Sequence, residues 1–141
     1  MTPRQIDLVQ DSFALIVPRR SEVAANFYRI LFGLAPQLRP LFRNDVETQG
    51  QKLMQVLTSV VRSLSNLTPL LHTIDALAER HVGYGVRNAH YAPVGRALIL
   101  ALRDTLGEAF TIETEEAWVD AYMILSRRMM IAAGEEPALA A

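Results

Sequence analysis

Three polar side chains occupy positions that helical periodicity assigns to the interior, and their chemical types suit hydrogen bonding or metal ligation. They are Tyr28, Gln49 and His81. His81 extends the apolar series Ile74 and Leu77 along one helix face, and two glycines follow it within four residues. A buried polar group without a hydrogen-bond partner costs about 1 to 3 kcal/mol, so each of the three needs a local partner or a ligand.

Each residue also has an ordinary structural explanation. Tyr28 fits a core tyrosine whose hydroxyl reaches a backbone carbonyl, and Gln49 fits a first-turn residue that is solvated or helps to cap a helix. His81 alone fits a histidine at a helix end, while His72 and His90 fall near a helix start and in a loop. No His-x-x-x-His or Glu-x-x-His pair is present, so a metal on His81 needs further ligands from a cofactor.

Composition narrows the classes of function. The 141 residues include no cysteine, which excludes disulfides, thiolate catalysis and cysteine-bound metal sites, and the net charge of -1 predicts no general affinity for nucleic acid or membranes. No leader pattern and no run of about 18 apolar residues is present, which predicts a cytoplasmic protein. No nucleophile elbow, phosphate loop or dinucleotide fingerprint occurs.

The apolar spacing predicts an all-α protein of six or seven helices joined by short turns, with no strand of convincing length. Its length predicts one domain, residues 1–133, followed by a flexible tail at 134–141. Thr, Ser, Asp, Asn and Pro mark where helices begin. The predicted starts are Thr2-Pro3, Ser21, Asn44 or Asp45, Thr68-Pro69, the stretch AHYAPVG (89–95) with Pro93 in the first turn, and Thr111.

Five stretches, taken in order, resemble one family. They are NFYRILF (26–32), LRPLF (38–42), QGQKLMQVL (49–57), ERHVGYGVRNAHYAPVG (79–95) and LGEAFTIETEEAWVDAY (106–122). Over nearly its whole length the chain is similar to the globins, particularly bacterial single-domain haemoglobins and the haem domain of flavohaemoglobins, with some likeness to neuroglobins. The resemblance implies a three-over-three helical sandwich around haem b.

The same resemblance implies a role for each polar residue singled out above. His81 corresponds to the iron ligand, Tyr28 and Gln49 to the distal hydrogen-bond donors, and Leu53 to the apolar side chain over the distal face. Gly83 and Gly85 would let the backbone turn around the edge of the cofactor. The cofactor-binding residues that the resemblance implies are Phe42, Leu53, His81, Val86, Tyr91, Val94 and Leu98.

One departure bears on chemistry. Flavohaemoglobins pair the proximal histidine with a tyrosine and a glutamate that raise its basicity. Tyr91 matches that tyrosine, but the glutamate position falls at Ala133. We therefore expect His81 to be a weaker electron donor, which makes peroxidase-like chemistry unfavourable.

The resemblance implies reversible binding of oxygen, with nitric oxide and carbon monoxide as further ligands. The alternatives are a nitric oxide dioxygenase served by a separate reductase, a haem-based gas sensor and a haem-free regulator. Retention of His81 with Tyr28, Gln49 and Phe42 argues against the last. Either a monomer or a homodimer is compatible with the sequence.

Overall fold

The computed structural model describes residues 1–42 and 45–134, and this part of the chain is almost entirely helical. Short 3-10 turns join most of the α-helices, and the described residues contain no strand. The all-α prediction is therefore confirmed. The six helices are α1 (Pro3–Ile16), α2 (Arg20–Leu34), α3 (Val46–Arg62), α4 (Leu71–Gly83), α5 (Tyr91–Leu106) and α6 (Ile112–Ala132).

Side-chain caps begin three of these helices where the sequence predicted them. The Thr2 hydroxyl accepts from the third backbone N–H of α1, and the Thr111 hydroxyl does the same for α6. The Asp45 carboxylate accepts from the Thr48 N–H at 2.8 Å, so Asp45 caps α3; its alternative, Asn44, lies outside the described residues. Each cap satisfies a backbone donor that the helix itself leaves without a partner.

The predicted cap at Ser21 is wrong. A 3-10 turn at Val17–Arg19 runs directly into α2, so Ser21 is already the second residue of that helix, and no side chain caps its start. The start of α4 also differs from the prediction, because Thr68–Leu70 forms a 3-10 turn and the α-helix begins at Leu71.

The helices form two layers. One contains α1, α3 and α4, and the other contains α2, α5 and α6. Across the layers, α3 packs mainly on α2, whereas α1 and α4 pack mainly on α6. This arrangement is the three-over-three sandwich, and it gives α3 and α4 different principal partners.

The buried apolar residues separate into two clusters. The main cluster joins α1, α2, α3, α5 and α6, with Leu31 and Leu102 among its fully buried members. The second cluster, which we call the α4 cluster, consists of Ile74, Ala78 and Met129. The inner face of α4 therefore packs on α6 without merging into the main core.

Within the described residues, no helix combines the length and the apolar content that crossing a bilayer requires.

Candidate functional site

A close crossing of α2 and α3 positions the first polar residue of the site. A Cβ placed on Gly50 would lie 2.8 Å from the Ala24 Cβ and 4.0 Å from the Tyr28 ring. Because a real Cβ does not fit at 2.8 Å, the helices approach this closely only with glycine at that position. The crossing brings Gly50, the residue after Gln49, next to Tyr28.

Aromatic rings surround Tyr28. It packs edge-on against Phe27 and Phe42, with ring centroids 4.9 Å and 5.4 Å away, and it lies 5.9 Å from Phe32. Phe32 and Phe42 also pack against each other at 5.5 Å, and the Arg39 guanidinium lies 4.8 Å from the Phe32 ring. These contacts hold the phenol in one orientation.

The Tyr28 hydroxyl keeps its proton but donates it to no other group of the described residues. Tyr28 is only 4% exposed, and no residue of the described chain forms a hydrogen bond with its hydroxyl. Burial raises the pKa of Tyr28 to about 12, because the charged phenolate is poorly solvated there. The group therefore stays protonated at neutral pH and has a hydrogen bond to give to a ligand.

Gln49 and Leu53 lie one turn apart on α3 and are both half-buried. The Gln49 N–H donates to the Asp45 carbonyl at 3.0 Å, which places the residue in the first turn as the sequence predicted. Leu53 packs against the main cluster. The Gln49 carboxamide makes no hydrogen bond within the described residues, so both its amide protons remain available.

His81 lies in the last turn of α4, and its ring has a fixed tautomer. Its Nδ1 is 2.8 Å from the Leu77 carbonyl oxygen. Because a carbonyl can only accept, Nδ1 carries the proton and Nε2 keeps its lone pair. Burial, followed by the charge of Arg80, lowers the pKa of His81 below its usual value, against the opposing effect of the Leu77 carbonyl. The ring is therefore a neutral imidazole with Nε2 available to a metal ion.

The loop after α4 approaches the corner that carries Phe42. Gly85 has a φ of +95°, and a Cβ at this position would meet the Leu41 side chain at 3.2 Å. The positive φ therefore favours glycine at position 85, and a side chain there would also press on Leu41. The half-buried Val86 donates its N–H to the His81 carbonyl at 2.9 Å, which fixes the loop at the end of α4.

Helix α5 contributes the remaining predicted residues. Tyr91 packs against the α4 cluster, whereas Val94 packs on the main cluster and Leu98 is buried within it. The Tyr122 hydroxyl donates to the Tyr91 carbonyl at 2.7 Å, and a Cβ on Gly95 would approach the Tyr122 ring to 2.5 Å. The absence of a side chain at Gly95 therefore lets α6 hold the start of α5.

Together these positions lie on α2, α3, α4, α5 and the corner before α3, and we call the region between them the cleft. Phe42, Leu53 and Val94 belong to inward faces but are only half-buried, as is His81. A flat, largely apolar cofactor with one metal coordination position suits this donor set, since the cleft offers a neutral imidazole, two hydrogen-bond donors and apolar walls. The described residues contain no cluster of three or more His, Asp or Glu side chains.

Three contributing residues were not singled out from the sequence. Phe32 follows Tyr28 by one helical turn, so the i, i+4 rule would have identified it as a ring neighbour. Gly50 and Tyr122 carry no local signal, because their roles depend on helices distant in sequence. Among the predicted site residues, the rings of Tyr28 and Phe42 pack against each other, and Val86 forms a backbone hydrogen bond with His81. Leu98 instead lies deeper in the core.

Comparison with known proteins gives consistent matches. The globin family model matches residues 25–129. The flavohemoprotein of Bordetella pertussis is 31% identical over 125 residues, which are 86% of this chain and 31% of that protein. The flavohemoprotein of Vibrio cholerae is 25% identical over 130 residues, which are 90% of this chain and 33% of that protein. The chain thus spans about a third of the length of these relatives.

Two solved structures resemble the whole fold. One is an engineered carbene transferase derived from a putative nitric oxide dioxygenase of Rhodothermus marinus, with a TM-score of 0.88, 28% identity, and coverage of 95% of this chain and 94% of that one. The other is a bacterial globin from Campylobacter jejuni, with a TM-score of 0.86, 24% identity, and coverage of 94% of this chain and 96% of that one.

Proposed function

This chain belongs to the globin family, and from that premise we propose that it binds haem b in the cleft between α3 and α4 and reversibly binds dioxygen there. Nitric oxide and carbon monoxide are the further ligands we propose. The observation that carries the proposal is the His81 ring, whose Nδ1 is bonded to the Leu77 carbonyl while Nε2 keeps its lone pair. Family membership implies haem binding; the particular haem and the residue roles are our proposal.

His81 is the iron ligand in this proposal. The Leu77 carbonyl holds the ring so that Nε2 needs no tautomer change to coordinate, and the lowered pKa of His81 disfavours the protonated form that cannot coordinate. Haem bound here would supply an iron atom that His81 coordinates and to which a diatomic gas could bind.

Tyr28 and Gln49 donate hydrogen bonds to the bound gas in this proposal. A bound dioxygen ligand would carry partial negative charge, and a hydrogen-bond donor in an apolar pocket would stabilise that charge more strongly than water does. The Tyr28 hydroxyl is protonated and makes no hydrogen bond within the described residues, so it breaks no protein hydrogen bond when it donates to dioxygen. The Gln49 carboxamide supplies a second donor from α3.

Apolar side chains form the walls. Phe42 and Leu53 contact the haem face in this proposal, and the exclusion of water by these groups strengthens the polar contacts inside. The residues that we propose line the proximal side are Val86, Tyr91, Val94 and Leu98. Half burial of Phe42, Leu53 and Val94 supports this assignment, since a cofactor would cover their remaining exposed surface.

The test is an absorption spectrum of protein expressed with haem available. We expect the parent protein to bind haem, and His81→Gly to lose the histidine-ligated spectrum and regain it on addition of imidazole. His72→Ala is the matched control, because His72 is an exposed histidine on the same helix. Unchanged haem binding and spectrum in His81→Gly would exclude this ligand assignment.

Nitric oxide dioxygenation is the second candidate. It is favoured by the flavohemoprotein relatives and by the similarity to a structure titled as derived from a putative nitric oxide dioxygenase. Turnover would require electrons from a reductase, and in this proposal the reaction takes place in the cytoplasm. Sustained nitric oxide consumption only when reductase and reductant are added supports an enzyme, whereas a single stoichiometric loss under the same conditions supports a binding protein.

We also propose that residues 1–133 form a single globin domain; the predicted tail at 134–141 lies, apart from Gly134, outside the described residues. The end of α6 at Ala132 supports this boundary.

A further inference from the structure

Helix α4, which carries His81, is attached to the rest of the chain mainly through α6. Its other main packing is on the 3-10 turn Thr68–Leu70 that leads into it. The α4 cluster supplies the apolar part of the attachment to α6, and only Ile74 and Ala78 of α4 are buried there. Because few buried apolar contacts mean low local stability, apolar packing alone fixes the position of α4 weakly.

A two-pronged ion pair joins the same two helices beside that apolar contact. Arg128 donates from Nε to Asp75 Oδ1 at 2.8 Å and from Nη2 to Asp75 Oδ2 at 2.7 Å. Asp75 follows Ile74 in the sequence and Arg128 precedes Met129, and both neighbours belong to the α4 cluster. The hydrogen bonds from Arg128 lower the pKa of Asp75, which is therefore ionised at neutral pH. Two parallel N–H···O bonds fix orientation as well as distance.

This pair is better shielded from water than the comparable pair elsewhere in the fold. The side chains of Asp75 and Arg128 are 31% and 40% exposed, whereas those of Glu113 and Arg4, which also form a two-pronged pair between helices, are 55% and 70% exposed. Partial burial reduces screening, and bidentate arginine is the geometry in which such a pair contributes to stability. Within residues 1–42 and 45–134, α4 forms no other ion pair.

One short length of α4 connects the ion pair to the His81 ring. Asp75 precedes His81 by six residues, which is about 9 Å along the helix. Between them, Leu77 packs against the α4 cluster, and its carbonyl oxygen accepts the hydrogen bond from His81 Nδ1 at 2.8 Å. A shift or rotation of α4 on α6 would therefore move the Leu77 carbonyl and the His81 ring together.

We propose that Asp75 and Arg128 are positioning residues that fix α4 on α6 and thereby set where His81 Nε2 lies. Neither side chain contacts the haem or the gas in this proposal. The inference rests on the proposed role of His81 as iron ligand, whereas the attachment of α4 to α6 does not require haem. Loss of the pair leaves the hydrogen bond between His81 and Leu77 in place but lets α4 move, so the bond from His81 to iron should weaken.

Alanine substitutions test the attachment of α4. Asp75→Ala and Arg128→Ala each remove one partner, and alanine has the highest helix propensity, so neither substitution weakens its own helix. In deuterium exchange of the full chain, the amides of residues 71–83 should exchange about three- to tenfold faster in both variants, while those of α1 and α2 should not change. The double variant should be no faster than either single one, because each single substitution already breaks the pair.

A spectroscopic measurement tests the effect on His81. In the resonance Raman spectrum of the ferrous, gas-free protein, the iron–histidine stretching band should shift to lower frequency in Asp75→Ala and in Arg128→Ala. Asp104→Ala is the matched control, because it breaks the more exposed Arg29–Asp104 pair between α2 and α5. This control should match the parent in both the band and the exchange of residues 71–83.

Several results would overturn the inference. They are parental exchange of residues 71–83 in the alanine variants, faster exchange spread evenly over all helices, additive effects in the double variant, and an unchanged stretching band. A parent protein without a histidine-ligated haem spectrum would instead refute the proposed function. The exchange measurement would then still decide whether the ion pair fixes α4 on α6.

Discussion

Replacing Tyr28 by phenylalanine should accelerate dioxygen release, and the structure allows the size of this effect to be estimated. The substitution removes only the hydroxyl, while the edge-on contacts of the ring with Phe27 and Phe42 remain. A hydrogen bond to a charged group contributes about 1.5 to 3 kcal/mol, and about 1.4 kcal/mol corresponds to a tenfold change in rate. We therefore expect dissociation about 10- to 150-fold faster than in the parent.

The assay is stopped-flow mixing of the oxygenated protein with excess carbon monoxide, which traps the site as dioxygen leaves. Tyr122→Phe is the matched control: Tyr122 is a partly buried tyrosine whose hydroxyl already donates to the Tyr91 carbonyl. This control should change the rate less than about twofold. Carbon monoxide carries little negative charge when bound, so its own release should respond weakly to Tyr28→Phe. If dioxygen release is unchanged in Tyr28→Phe at full haem content, the donor role is refuted.

Three further predictions concern stability and geometry. Gly95→Ala would put a Cβ 2.5 Å from the Tyr122 ring, so overpacking should lower the free energy of unfolding by about 1 to 3 kcal/mol. Urea titrations measure this change. Gly33→Ala is the control, because the space around Gly33 is open and the substitution should not destabilise the protein. Gly50→Ala would put a Cβ 2.8 Å from a side chain of α2, and by separating α2 from α3 it should both destabilise the protein and speed dioxygen release. The pKa of Tyr28 is near 10 in the unfolded chain and about 12 in the folded protein. As the pH rises past 10, the unfolded chain loses this proton before the folded protein does, so the free energy of unfolding falls. Between pH 9 and pH 11 the parent should lose about 1.3 kcal/mol more than Tyr28→Phe, and equal losses would contradict this assignment.

Local interactions made most helix boundaries predictable. The caps at Thr2, Asp45 and Thr111 act within three residues of themselves, so their signal is complete in the sequence. Ser21 is one exception: a 3-10 turn joins α1 to α2, which leaves no separate helix start to cap. That continuity depends on how the two helices pack, and a short sequence window does not contain it.

For the candidate site, the residue types were evident from the sequence but their surroundings were not. Periodicity alone placed Tyr28 and His81 on inward faces. It did not indicate that the Tyr28 hydroxyl would lack a protein partner, or that the Leu77 carbonyl would fix the His81 tautomer. Both facts follow from packing, because each depends on which atoms surround the side chain in three dimensions.

The sequence by itself determined an all-helical chain, the starts of most helices and the polar residues on their inward faces, because caps and the 3.6-residue period act over a few residues. The tertiary structure decided that α4 packs on α6 while α3 packs on α2, and this division leaves a cleft lined by half-buried side chains. It also decided where helices meet through glycine, at Gly50 and Gly95. Such crossings depend on steric fit between segments far apart in the chain, which no local pattern specifies.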